Sequence, residues 1–361
     1  MNTVEQNNQD RSAELLDQVK QALADRTALR IVGGDSKAFL GKAVQGQALS
    51  LAGHEGVVDY DPAELVVTVR AGTSLKTLEA VLNEQGQCLP FEPPVFDGRA
   101  TVGGATACGL SGPRRPWVGA LRDYVLGCRL ISGMGTHMRF GGQVMKNVAG
   151  YDVSRLMVGA QGCLGVITEV SFKVLPRPRR RAARVLEVAQ QDVAGLLRQW
   201  RDQSRPVTGA AWQDGRLHLR LEGGDSSVQL AQEQIGGEEL DLTYWDDLCE
   251  QRLDFFKQAG NLWRIALPVD APVQSWPGEV LLDWGGTQLW LKSEAPAELI
   301  HEQARALQGY ARCWSGPDAG NDELPAALLQ WHQRLKQQLD PAHIFNPGRL
   351  FRSAESTCKH N

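Results

Sequence analysis

Chemistry in this chain must come from few side chains and from backbone laid bare at glycines. The best-spaced polar side chains are Lys146, Asn147, Tyr151 and Asp152, together in the run MKNVAGYDVSRL. No base among them is paired in sequence with an orienting partner, so catalysis by them is not the first reading. The same residues could merely orient a loop, with Asp152 capping a helix that starts at Val153. Between Arg181 and Leu339 the only histidines are His218, His301 and His332, and no two lie close in sequence. Glu298 and Glu302 flank His301, but on a stretch of helical periodicity with no second His. Packing or surface roles come first for each of these histidines, and no metal is expected. The seven cysteines (Cys88, Cys108, Cys128, Cys163, Cys249, Cys313 and Cys358) include no C-x-x-C pair. An iron–sulfur or zinc site carried by this chain alone is therefore not expected, and reduced thiols are.

The backbone is the richer source of chemistry. Leu29–Val32 reads as a strand that empties into Gly33-Gly34-Asp35-Ser36-Lys37. Such a loop offers several N–H groups and a hydroxyl to an anion, although it would also make an ordinary tight turn. From Thr101 to Pro176 glycine recurs at 103, 104, 109, 112, 119, 150, 159, 162 and 165, between short apolar runs. That spacing suits a backbone that bends sharply and approaches a large, flat, phosphate-bearing ligand. The G-x-x-x-x-G-K-[ST] loop is absent, since Gly41-Lys42 is followed by Ala43, and no G-x-G-x-x-G opens a helix. A dinucleotide would need a different fold from those two.

The elements that position these residues read as two α+β units. A helix starts at Ser12 as N-cap and ends near Arg26, with Leu15, Leu16, Val19, Ala22 and Leu23 on one face. Strands follow at Val57–Tyr60 and Leu65–Arg70, then a helix carrying Leu75, Leu78, Val81 and Leu82. Val125–Ser132 and Thr136–Phe140 form a hairpin, and Gly165–Leu175 one strand. The run Pro176–Arg181 marks a boundary and reads as a solvated linker. Beyond it the texture changes, because nine of the ten Trp lie past residue 199. Packing accounts for these rings first, and a partner surface is the sharper alternative. Helices are expected at Gln191–Gln203, Pro296–Gln308 and Leu324–Leu339, the last with Leu324, Leu328, Trp331, Leu335 and Leu339 on one side. The resulting division is a polar tail (1–11), a first domain (12–178), a second (179–339) and a C-terminal segment (340–361) returning to the first.

Composition narrows the function classes. The 361 residues carry a net charge of −4, which gives no reason to expect a nucleic-acid partner. The opening MNTVEQNNQDRSAE has no apolar core of a secretory signal, and no run of about 18 apolar residues occurs. A cytoplasmic protein is expected, at most peripheral on the inner membrane through partners.

Five runs, in order, resemble a known family: Arg30–Ser36, Thr101–Gly104, Lys146–Asp152, Gly162–Val170 and Phe345–Leu350. They are similar to flavoproteins of the vanillyl-alcohol oxidase type, which share the PCMH-type FAD-binding domain. Within that group the chain looks like the FAD-binding subunits of bacterial glycolate oxidases. The resemblance implies a two-subdomain α+β FAD fold, a smaller α+β cap and a C-terminal return. It implies FAD held by Arg30, Gly33, Gly34, Asp35, Ser36 and Lys37 at the pyrophosphate, and by Thr101, Val102, Gly103, Gly104, Gly109, Gly112 and Asp123 along the ribityl chain and flavin. Gly162, Gly165, Val166 and Ile167 would follow the adenine end, with Asn346 near the flavin ring. Relatives that tether FAD use a His where this chain has Asp35, and a Cys where it has Arg99, so non-covalent FAD is expected.

The implied function is a subunit of a glycolate oxidase that oxidises glycolate, and D-lactate as a second substrate, to the 2-oxo acid. Its partners would be a larger FAD-binding subunit and an iron–sulfur subunit. The alternatives are a self-sufficient FAD-dependent D-2-hydroxy-acid dehydrogenase and a flavin-binding scaffold without turnover. Catalytic residues stay open, with Lys146, Asn147 and Tyr151 as candidates and His343 beside the return segment.

Overall fold

The computed structural model describes residues 8–142, 152–316, 319 and 324–350. They fall into two compact units. The first holds residues 8–110, 120–142, 152–176 and 324–350, and the second 111–119, 177–316 and 319. Two pieces thus lie elsewhere than the sequence division put them: residues 111–119 belong with the second unit, and the last helix with the first.

The first unit is built on a five-stranded antiparallel sheet ordered Val57–Asp61, Val66–Arg70, Val166–Lys173, Val125–Ile131, His137–Gly141. Val166–Lys173 alternates in sequence, yet all but its last residue are buried. A central strand covered on both faces has no solvent side for its Thr and Ser, so Thr68 and Ser171 pair with each other across the ladder at 2.8 Å. Phe91 sits in this core, 5.5 Å from Phe172 and 5.8 Å from Tyr124 between ring centroids. His54 is fully buried. Its Nδ1 accepts from the Arg11 amide (3.0 Å), so Nε2 carries the proton and donates to Thr168 O (3.0 Å). Burial holds its pKa below the ordinary histidine value.

Beside this sheet, Leu29–Val32 pairs in parallel with Gln47–Ser50. The chain's end joins them, with Leu29 N donating to Ile344 O (2.7 Å) and Asn346 N to Leu29 O (2.9 Å). The first helix is Ser12–Asp25. Ser12 is its first helical residue and not its cap; Arg11 holds the cap position without a side-chain bond, and Asp10 Oδ1 takes the Ser12 amide at 2.9 Å.

The second unit is an eight-stranded antiparallel sheet ordered Glu238–Glu239, Arg180–Glu187, Arg216–Gly223, Val207–Gln213, Glu279–Asp283, Gln288–Ser293, Asn261–Ala266, Tyr310–Ser315. The Pro176–Arg181 run is only partly linker. Arg180 and Arg181 open a strand, and Arg181 pairs with the buried Glu222 at 2.8 Å. Glu222 draws three guanidinium groups, with Arg114 at 3.2 Å and Arg220 at 3.7 Å, because a carboxylate this buried needs counter-charge. Arg264 lies over three indoles, those of Trp284, Trp290 and Trp314, at 5.0, 5.8 and 5.4 Å. Most of the tryptophans are core, as their size suggests. No helix among the described residues is long and apolar enough to cross a membrane.

Candidate functional site

The strand Leu29–Val32 ends at Gly33, and from there the chain stops making backbone hydrogen bonds. Among the described residues the amides of Gly33, Gly34, Asp35 and Ser36 donate to nothing. Gly33, Gly34 and Ser36 are half-buried and Asp35 is exposed, so these four amides are open to an external acceptor. They border a cleft of about 770 Å³, open at its mouth. Glycine is required here by crowding behind the loop. A Cβ on Gly34 would lie 1.5 Å from Arg99 O, and one on Gly33 2.4 Å from Thr101 Oγ1.

Opposite walls come from a helix and a strand. The helix Val102–Cys108 is capped by Thr101, whose Oγ1 accepts from Gly104 N at 3.2 Å. Thr101, Gly104, Ala107 and Cys108 line the cleft at helical spacing, together with Gly103. Gly165 and Ile167 line it from the start of the central strand, joined by Leu51, Ala71, Gln161 and Gly162. The charged lining groups are Arg30, Lys37, Arg349 and Asp35, three cations and one carboxylate, for a formal sum of +2. That balances the two negative charges of a diphosphate ester. Lys37 is buried, donates to Pro94 O at 2.9 Å and lies 5.0 Å from the Phe96 ring centroid. Arg349 is fixed by Gln161 Oε1 (3.1 Å) and Lys37 O (3.3 Å).

The floor of the cleft is tied by the chain's end. Asn346 is buried; its Oδ1 accepts from Ile31 N (2.9 Å) and its Nδ2 donates to Gln161 O (2.7 Å). Lys336 stands behind it. Its Nζ reaches Cys163 O (2.8 Å), Phe345 O (2.6 Å) and Asp340 Oδ2 (2.5 Å), and is buried with them. Asp35, Gln161 and Asn346 all have left-handed backbone (φ 54°, 48° and 39°).

Of the residues expected at a cofactor, Arg30, Gly33, Gly34, Asp35, Ser36, Lys37, Thr101, Gly103, Gly104, Gly162, Gly165, Ile167 and Asn346 border the cleft. Val102 and Val166 do not. They alternate inward, each fully buried in the core, because a motif read as consecutive letters ignores helix and strand periodicity. Gly109 ends the helix in a left-handed turn (φ 66°). Gly112 belongs to the second unit, where its carbonyl accepts from Trp284 Nε1 at 3.0 Å. Asp123 takes the Ala120 amide at 2.8 Å and caps a short turn. Lys146, Asn147 and Tyr151 lie outside the described residues. Asp152 is the N-cap of Val153–Leu156, accepting from Arg155 N at 3.0 Å. His343 is exposed and bonded to Gln337 (2.8 Å). In the second unit His218 stacks on Tyr244 at 4.3 Å, and burial lowers its pKa to about 4. His301 packs edge-on to Trp263. Sequence reading missed Gln161 and Arg349, although a basic residue after Gly348 in the last glycine motif was a usable signal.

The chain is similar to known proteins. Residues 10–141 match the family described as FAD binding domain. The chain is 54% identical over 342 residues to "Glycolate oxidase subunit GlcE" of Escherichia coli (strain K12), covering 95% of this chain and 98% of that one. A D-lactate dehydrogenase of Anaerostipes hadrus is 34% identical over 134 residues, 37% of this chain and 28% of that enzyme. "Glycolate oxidase subunit GlcD" of Bacillus subtilis (strain 168) is 30% identical over 39% of this chain and 31% of that one. Among solved structures, alkyldihydroxyacetonephosphate synthase superposes with a TM-score of 0.66 at 17% identity, over 94% of this chain and 75% of that one, which establishes the fold. The fold is thus the expected α+β, PCMH-type FAD-binding architecture. With near-complete coverage at more than half identity, this chain belongs to the family of the glycolate oxidase subunit GlcE.

Proposed function

We propose that the cleft holds FAD and that the chain works as the FAD-binding subunit of a multi-subunit glycolate oxidase. The observation that carries the cofactor assignment is the row of four unbonded amides, Gly33 to Ser36, in a cleft of charge +2. These amides, with Arg30, Lys37 and Arg349, hold the pyrophosphate. The helix face Thr101–Cys108 and the strand start Gly165–Ile167 orient the rest of the ligand by backbone contact. When bound, FAD supplies acceptance of a hydride or two electrons. Asn346 and Lys336 keep the return segment seated on the strand Leu29–Val32, so the loop cannot widen. The ligand is held without a covalent bond, since the loop position used for tethering is Asp35. Likeness to a glycolate oxidase subunit over nearly its full length supports 2-hydroxy-acid oxidation by the assembly. Bound FAD would supply two-electron chemistry, and the other subunits, a larger FAD-binding chain and an iron–sulfur chain, would carry the electrons to an acceptor other than oxygen.

The test is a visible spectrum of the purified chain, followed by acid precipitation and by anaerobic addition of glycolate. A flavin spectrum whose chromophore stays in the acid supernatant is expected. Bleaching by glycolate is expected only with the other subunits present. Bleaching by the lone chain would favour a self-sufficient dehydrogenase. A chain that takes up no flavin after incubation with FAD refutes the assignment.

A further inference from the structure

The last helix, Ala326–Leu339, carries an apolar stripe that nothing in the described structure covers. Leu328, Trp331 and Leu335 recur at i, i+3 and i+7 and are 44%, 61% and 36% exposed. Sequence periodicity alone would place this stripe against the core. The buried side chain of the helix is instead Lys336, a cation that holds the backbone carbonyls of Cys163 and Phe345. The helix is also pinned where Gly133 N donates to Leu339 O (3.0 Å), with Gly133 packed so closely that a Cβ would lie 2.5 Å from Asp340 Cα. The stripe is therefore presented by a fixed element.

We propose that the stripe Leu328–Trp331–Leu335 docks in an apolar groove with an acidic rim on another subunit of the assembly. This rests on reading the chain as a subunit of a glycolate oxidase. Three features select that occupant. The spacing i, i+3, i+7 with a central Trp is that of a helix seated in a groove. Charge gives the rim: from Ala326 to Leu339 the helix has no acidic residue, its exposed flank is Gln330, Gln333, Gln337 and Gln338, and its exposed cation Arg334 lies 5.2 Å from the Trp331 ring centroid. A carboxylate on the partner would complete that stack. Size argues against a second copy of this chain. A helix of 14 residues is about 21 Å long and its stripe exposes on the order of 300 Å². Two such helices pairing face to face would bury well under the roughly 800 Å² per partner of a stable interface, whereas a groove that wraps the helix adds its flanks.

The full-length chain is co-expressed with the other subunits, and their recovery on a tag of this chain is measured with flavin absorbance per chain. Trp331→Ala is expected to weaken association at least tenfold, and Leu328→Glu with Leu335→Glu to abolish it, both with flavin content retained. Val269→Glu, at an exposed position of the second unit, is expected to change neither. Unchanged recovery of partners with either stripe variant overturns the proposal, and so does an equal loss with Val269→Glu. A wild-type chain that is a dimer on its own and a monomer in the double variant overturns it in favour of self-association. Should the double variant fail to fold, hydrogen exchange of the wild-type chain decides. Slower exchange at residues 328–335 on adding the other subunits supports docking, and unaltered exchange refutes it. A wild-type chain without flavin would defeat the cofactor reading instead, a separate result.

Discussion

Replacing Lys336 with Met should loosen the flavin cleft from behind. The Nζ sits among Asp340 Oδ2, Cys163 O and Phe345 O at 2.5, 2.8 and 2.6 Å. Asp340 is fully buried and its carboxylate also takes the amides of Ile344 (3.1 Å) and Phe345 (2.8 Å). Met fills the volume but leaves this carboxylate in the interior without counter-charge. Removing one partner of a buried pair costs about 3–5 kcal/mol. Domain stabilities are about 5–15 kcal/mol, so the first unit loses a large share. At about 2–4 °C per kcal/mol for a unit of this size, its transition should fall by roughly 6–20 °C. The two units can be followed separately. Flavin fluorescence on release reports the first, and tryptophan fluorescence the second, since nine of the ten Trp lie in it. The expected result is a large drop in the flavin transition and little change in the tryptophan transition. Adding Asp340→Asn should recover part of the loss, because the orphaned charge is gone. A flavin transition that moves by less than about 2 °C, or a tryptophan transition that moves equally, would refute the account of Lys336 as the clamp behind Asn346.

Gly34→Ala should reduce bound flavin more than tenfold with the second unit's melting unchanged, because its Cβ would meet the backbone oxygen of Arg99 at 1.5 Å and the loop would have to shift; wild-type flavin content would count against the loop assignment. Acid should weaken the second unit through His218. Its folded pKa, about 4 against 6.5, means the unfolded chain takes the proton first, so this stability is complete above pH 6.5 and is lost as pH falls from 6.5 toward 4. The loss is at most about 3 kcal/mol. Denaturant titrations by tryptophan fluorescence should show it, and His218→Phe, which keeps the ring on Tyr244, should flatten it; an equal pH slope in the variant would refute it.

Local features were legible where one residue type answers one local need. The Gly33–Ser36 loop is such a case, since two glycines after a strand give the backbone freedom to turn sharply, as it does here with its amides unbonded. Asp152 as a helix cap is another. Legibility failed where direction or distance along the chain decides. Val102 and Val166 stand inside motifs that border the cleft, yet helical and strand alternation turn them into the core. Gly112 and Asp123 follow the same glycine run, but one accepts an indole N–H in the second unit and the other caps a turn. His54 gave no signal, because its partners at Arg11 and Thr168 are set by packing over long separations.

By itself, the sequence determined the α+β class and a loop of two glycines after the strand Leu29–Val32, and its five glycine-containing runs resemble those of FAD-binding proteins. The class and the loop rest on periodicity and backbone freedom, which are local properties, and the FAD expectation rests on likeness to a family. Tertiary structure decided which residues of the runs Arg30–Ser36, Thr101–Gly104, Gly162–Val170 and Phe345–Leu350 border the cleft. It brought Arg349 and Asn346 beside Arg30 and Gln161, and it chose Lys336 over the apolar stripe as the buried side of the last helix. Such choices depend on charge balance and hydrogen-bond satisfaction among segments far apart in sequence, and a buried lysine with three acceptors can outrank a leucine only once the fold has brought those acceptors together.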